Sequence, residues 1–113
     1  MQLFRVTYVT DDVETTAAFY ERLLERDPVV SEHSVVIFHV EGTEVIVHER
    51  YEADGDDLPA EDYLAFAVEN LELQYAELVD AGFEPFREPA AYDWGRSAYL
   101  RDPDNRLVEL AAK

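Results

Sequence analysis

Apolar and polar residues alternate from Leu3 to Thr10, in a run rich in Val, Thr, Tyr and Phe, and this predicts a half-buried strand. Asp11 and Asp12 follow, then Val13, Thr16, Ala17, Tyr20 and Leu24 recur at helical spacing. An aspartate at that junction accepts the orphan amide protons of a first helical turn, and Glu14 stands where a capping box built on Asp11 wants it. Asp27 and Pro28 are expected to stop the helix. Val35–Val40 and Glu44–Glu49 read as strands joined in a hairpin at Glu41, Gly42 and Thr43. An acidic run over 52–62, with one Gly and one Pro, reads as a linker.

The pattern then starts again. Tyr63, Ala65 and Ala67 form one strand face; Leu64, Phe66 and Val68 form the other. Asn70 is placed to cap a helix carrying Leu71, Tyr75, Leu78 and Val79 on one side, and Gly82 falls just past its end, where positive φ is wanted. Glu84–Arg87 reads as a short edge strand before Pro89, and the residues from Pro89 to Arg96 as irregular. Ser97–Arg101 and Leu107–Ala111 read as strands around a turn at Asp102–Asn105. Phe19, Tyr20, Tyr75 and Leu78 are expected in the core. The segment VTYVTDDVE at 6–14 thus returns as LAFAVENLE at 64–72. A repeat this long in so short a chain implies two copies of one small unit. The expected fold is α+β, one domain over 1–113. It has two βαβββ units, at about 1–51 and 63–113, joined by the linker, with helices outside and sheets curved around a central cleft.

Composition narrows the function. Cysteine is absent, which removes disulfides and thiolate metal sites. No apolar run reaches the length of a membrane span, and the start of the chain enters strand pattern without a signal-peptide core, so the cytoplasm is the expected compartment. The net charge is −17, from 26 acidic and nine basic residues, and Lys113 is the one lysine. Such a surface speaks against nucleic acid, whose phosphates need clusters of Lys and Arg. It suits either basic partners or a high-salt milieu that screens self-repulsion; the acids are spread without a block, which favours salt.

Three segments carry a family resemblance: DVETTAAFY at 12–20, LAFAVEN at 64–70, and the closing DPDNRLVEL at 102–110. On these the chain resembles the vicinal oxygen chelate superfamily, which includes glyoxalase I, bleomycin-resistance proteins, fosfomycin-resistance enzymes and extradiol dioxygenases. The resemblance spans the chain, although the family usually has Gly where Asn105 stands. It implies paired βαβββ units and often a homodimer, and leaves the reaction open.

Enzymes of that family hold one divalent metal with four inward-facing side chains, mostly His and Glu, one from each of four strands. Those positions fall here on Arg5, on Ile46 (or His48 if the register slips by two), on Tyr63 and on Glu109, and only Glu109 is retained. Arg is always protonated and offers no lone pair, and Tyr is a poor ligand while its phenol keeps its proton. Neither a metal nor another cofactor is therefore expected, and Arg5 is expected to take the metal's place and pair with Glu109. His39 and His48, on neighbouring strands, are either a metal pair or ordinary hydrogen-bonded histidines. Trp94 is either a lid or a hydrophobic plug.

The resulting expectation is a glyoxalase/bleomycin-resistance-like homodimer that binds a small organic molecule, anionic or carbonyl-bearing. Arg5, Thr7, His48, Tyr63, Trp94 and Glu109 would line its cleft, with no catalytic residue assigned. The alternatives are a metal-dependent lyase or dioxygenase of the same superfamily and an association module without a ligand. No nucleophile triad, phosphate loop or HExxH motif is present.

The acidic excess generates a first prediction. The melting temperature should climb steeply from dilute buffer to molar KCl as repulsion is screened. A flat profile over that range would refute salt adaptation and favour a basic partner.

Overall fold

The structure, a computed structural model, describes residues 1–113. The chain divides into two compact units, Arg5–Asp62 and Tyr63–Lys113, the latter together with Met1–Phe4. Both run strand, helix, then three strands, so the chain is α+β with the βαβββ plan repeated. No helix is long and apolar enough to cross a membrane.

In the first unit, β1 (Gln2–Thr10) leads into α1 (Val13–Leu24), then β2 (Val30–Ser31), β3 (Val35–Val40) and β4 (Thr43–Glu49). The strands lie in the order β2-β3-β4-β1, with β1 parallel to β4. The two-residue strand β2 carries too little pattern to be read from sequence. Asp12, not Asp11, is the N-cap, accepting the Thr15 amide at 3.1 Å. Glu14 therefore sits one place too early for a capping box, and Thr15 takes that position, its hydroxyl 2.7 Å from the other Asp12 oxygen. The helix ends before Pro28, where Glu25 turns left-handed at φ 52°. Glu41 and Gly42 both have positive φ, as a two-residue hairpin turn between twisted strands requires.

The core of this unit is Ala17, Val36 and Phe38, with Val13, Tyr20, Leu24 and Val45 packed on it. Tyr8 stacks on Tyr20, with ring centroids 5.7 Å apart. Phe19 departs from expectation: it is 61% exposed. It lies about 200° around the helix from Ala17, so it points away from the sheet and meets only the edge of the Tyr20 ring.

In the second unit β5 (Tyr63–Val68), α2 (Leu71–Asp80), β6 (Glu84–Tyr92), β7 (Gly95–Arg101) and β8 (Leu107–Ala112) follow in turn. Their order is β5-β8-β7-β6, with β5 parallel to β8. Asn70 caps α2 through the Leu73 amide at 3.2 Å. At the other end the Gly82 amide donates to the Val79 carbonyl and the Phe83 amide to the Leu78 carbonyl, both at 3.0 Å. This is a Schellman closure, and it needs Gly82 at φ 99°. Val68, Leu71, Ala98, Leu100 and Leu110 form the core, with Phe66, Tyr75, Leu78 and Val79 against it.

The stretch read as irregular is ordered. β6 continues through Pro89 to Tyr92, and β7 begins at Gly95 rather than Ser97. Trp94 therefore lies in a tight hairpin turn with Asp93, not in a loop. Proline lacks the ladder's amide donor, and β6 tolerates two because it is last in its order and its pairing slips on either side of Arg87. At the β7–β8 turn Asn105 takes φ 66°. The Asp102 carboxylate accepts the amides of Arg106 and Asp104, and the Arg106 amide above all holds its pKa below the ordinary carboxylate value.

If the α2 cap matters as the geometry implies, Asn70→Ala should cost about 1 kcal/mol. Urea denaturation reads this directly, and an unshifted midpoint would show that water satisfies the first-turn amides equally well.

Candidate functional site

Each unit has one sheet face packed on its helix and one turned away. Tyr8 and Val45 face α1, so strand alternation puts Arg5, Thr7 and Val9 of β1, and Glu44, Ile46 and His48 of β4, on the opposite face. There Arg5 is directly opposite Glu44 on β4, and Glu44 is directly opposite His39 on β3. The Arg5 Nε donates to Glu44 Oε1 at 2.9 Å, and His39 Nε2 lies 3.2 Å from Glu44 Oε2. The Arg5 side chain is only 11% exposed. One step along β1 the Thr7 hydroxyl is buried and has no hydrogen-bond partner. His48 donates from Nδ1 to the Glu49 carbonyl at 2.7 Å and meets the Tyr51 ring edge-on, as an ordinary hydrogen-bonded histidine does. His39 and His48 do not act as a pair: His39 is bound to Glu44 instead.

The ladder also settles the fourth-strand register. In the second unit Ala65 is opposite Glu109; in the first, Thr7 is opposite Ile46. Thr7 and Ala65 are equivalent in the repeat, so Ile46 holds the place equivalent to Glu109, and His48 lies two residues beyond it.

In the second unit Ala98, Leu100 and Leu110 face α2, which leaves Tyr63, Ser97, Tyr99 and Glu109 on the other face. Glu109 is fully buried, and the Ser97 hydroxyl donates to its Oε2 at 2.7 Å. Tyr99, also fully buried, is opposite Glu109 in the ladder. Its ring is the middle of an aromatic row. It meets Tyr63 at 6.3 Å and Tyr92 at 5.9 Å, both edge to face. Tyr92 in turn stacks flat on Trp94, with centroids 4.6 Å apart and planes within 8°. Trp94 is half exposed at the end of this row. It is the outer member of a stack.

Sequence reasoning missed Glu44, Ser97 and Tyr99, and it gave no partner for His39 or Tyr92. For Glu44 and Tyr99 the signal was strand register, since each lies directly across the ladder from a residue already singled out, Arg5 and Glu109.

The chain matches the Glyoxalase/Bleomycin resistance protein/Dioxygenase superfamily over residues 2–110. It belongs to that superfamily. Metallothiol transferase FosB of Shouchella clausii (strain KSM-K16) is 26% identical over 110 residues, 93% of this chain and 75% of that protein. Among solved structures, a superfamily member from Vibrio splendidus 12B01 is similar at TM-score 0.70 and 14% identity, over 96% of both chains. Methylmalonyl-CoA epimerase from Mycobacterium tuberculosis is similar at TM-score 0.74 and 17% identity, over 98% of this chain and 87% of that one. These two likenesses are of fold.

The superfamily's metal can be tested against the residues present. Its four positions hold a guanidinium already in an ion pair, an isoleucine, a phenol and one carboxylate bound by a serine. Divalent transition metals want three or four N, O or S donors, and a guanidinium beside one is repelled. The residues at these positions do not fit the group.

Ser97→Ala should destabilise the protein by about 1–3 kcal/mol, because it strips a donor from a buried carboxylate. Thermal and urea unfolding measure this, and wild-type stability in the variant would mean that Glu109 is satisfied without Ser97.

Proposed function

We propose that this superfamily member is a metal-independent binding protein for a small organic molecule. The observation that supports it best is the donor set: Arg5, Ile46 and Tyr63 stand at three of the four metal positions, and Glu109 alone remains. The polar residues away from the helices are also those a binding surface needs. The first unit offers Arg5 and the partnerless hydroxyl of Thr7, with His48 beside them. The second offers Tyr63, Trp94 and the buried Glu109, set among aromatic rings. An oriented guanidinium recognises an acidic or carbonyl oxygen. The same reading includes a cytoplasmic homodimer, since self-association is the common remedy for open strand edges.

The rival reading, a metal-dependent enzyme, draws support from the likeness to a protein named a metallothiol transferase. Two measurements divide them. Elemental analysis of unchelated protein should find no stoichiometric Zn, Ni, Mn or Fe, and a thermal-shift panel of small anions and carbonyl compounds should give hits that weaken at least tenfold in Arg5→Ala. Near-stoichiometric metal that disappears in Glu109→Ala would sink the metal-independent reading.

A further inference from the structure

We propose that the second unit holds a further binding site, at the C-terminal end of α2, for a small hydrophobic amine in its ammonium form. A cavity of about 410 Å³ opens there, between the end of the helix, the start of β6 and the β7–β8 turn. It lies on the helix side of the sheet: Leu100 faces α2, and Val108 stands directly across the ladder from Leu100. Tyr63 and Glu109 are on the other face, so this site is separate from the superfamily's metal positions and independent of the reading above. Its lining suits an apolar body. Leu100, 4% exposed, and Val108 supply the sheet side, with Pro103 of the turn and Phe83 beside them. The Schellman closure fixes Phe83 there, through its amide on the Leu78 carbonyl, yet the residue stays 50% exposed. The residue at that place in such a closure commonly packs on an apolar neighbour, and half of Phe83 is left for another apolar group to cover. The volume is that of a small-molecule pocket and takes one ring with a short chain.

Charge decides which polar group such a molecule carries. A helix C-terminus bears a partial negative charge, ordinarily offset by Lys, Arg or His in the last turn. α1 has Arg22 in that place; α2 has no basic residue there and ends on Asp80. Ala81 and Gly82 bring that end of the helix onto the cavity. Glu84 and Asp102 also line it, against Arg101 as the one base. Arg101, across the ladder from Glu84, is committed elsewhere: its Nη1 donates to the Asn105 carbonyl at 3.1 Å, and its guanidinium lies over the Phe86 ring at 4.4 Å. Asp102 is engaged by Arg106 at 3.1 Å, so Glu84 is the carboxylate assigned to the ligand. An ammonium group supplies the cation that α2 lacks. An anion is repelled by the helix end, by Glu84 and by the field of a molecule with net charge −17.

The test separates body from charge with 2-phenylethylammonium, 2-phenylethanol, 3-phenylpropanoate and methylammonium. Each is titrated into the full-length protein in the lowest KCl at which it is folded, and binding is read from the backbone amide NMR signals of Gly82, Phe83 and Val108. 2-Phenylethylammonium should saturate these signals and bind about tenfold more tightly than 3-phenylpropanoate, the factor expected for reversing a charge at a helix end. 2-Phenylethanol should fall between the two, and methylammonium should not saturate. Glu84→Gln should weaken the amine about threefold and leave the alcohol unchanged. Phe83→Ala should weaken both alike, with the backbone spectrum still folded. If the alcohol or the acid binds as tightly as the amine, or Glu84→Gln weakens amine and alcohol equally, charge does not select the ligand and the proposal falls. If methylammonium matches the amine, surface charge alone attracts cations and the cavity is no site. Shifts confined to residues away from the cavity, or no shifts at all, overturn the proposal as well, and none of these outcomes bears on Arg5 or Glu109.

Discussion

Each unit brings its first and last strands side by side and parallel, and the arrangement of chemical groups depends on that pairing. Parallel neighbours cannot be joined by a tight turn; the chain must leave the sheet and return. Here it leaves through a helix and comes back through three strands, once from β1 to β4 and once from β5 to β8. The register of these two ladders decides which side chains meet. It places Glu44 across from Arg5, and Glu109 across from Ala65, two residues from Tyr63. A slip of one residue in a ladder would turn the slipped strand's polar side chains toward the helix.

The two units use the same geometry for different polar groups. On the first, a guanidinium is paired with a carboxylate from the neighbouring strand, whose other oxygen meets a histidine. On the second, a fully buried carboxylate is bound by a serine hydroxyl and lies directly across the ladder from Tyr99. Buried charge persists only where such partners exist, because desolvation otherwise outweighs what the fold supplies.

Much of this was written in local sequence. The repeat, the cap at Asn70, the closing Gly82, the left-handed Asn105 and the apolar stripe of α2 follow from backbone geometry and helical period, which act over a few residues. The superfamily was legible for the same reason, since its motifs are local segments. Local reasoning also had its errors. Phe19 was expected inside and is outside, because apolar character alone does not say which side of a helix a residue takes. The strand through Pro89 was read as irregular, because tolerance of proline depends on lying at the end of a sheet.

What sequence by itself determined is the plan of two units, their helices and turns, and the residue types at the superfamily's metal positions. What only tertiary structure decided is partnership. Ile46 rather than His48 at the fourth position, Glu44 on Arg5, Ser97 on Glu109, and Trp94 stacked on Tyr92 all depend on strands or strand ends far apart in the chain or on the exact hairpin between them. Cross-strand register is set by the sum of all contacts along a ladder, and no short segment contains that sum.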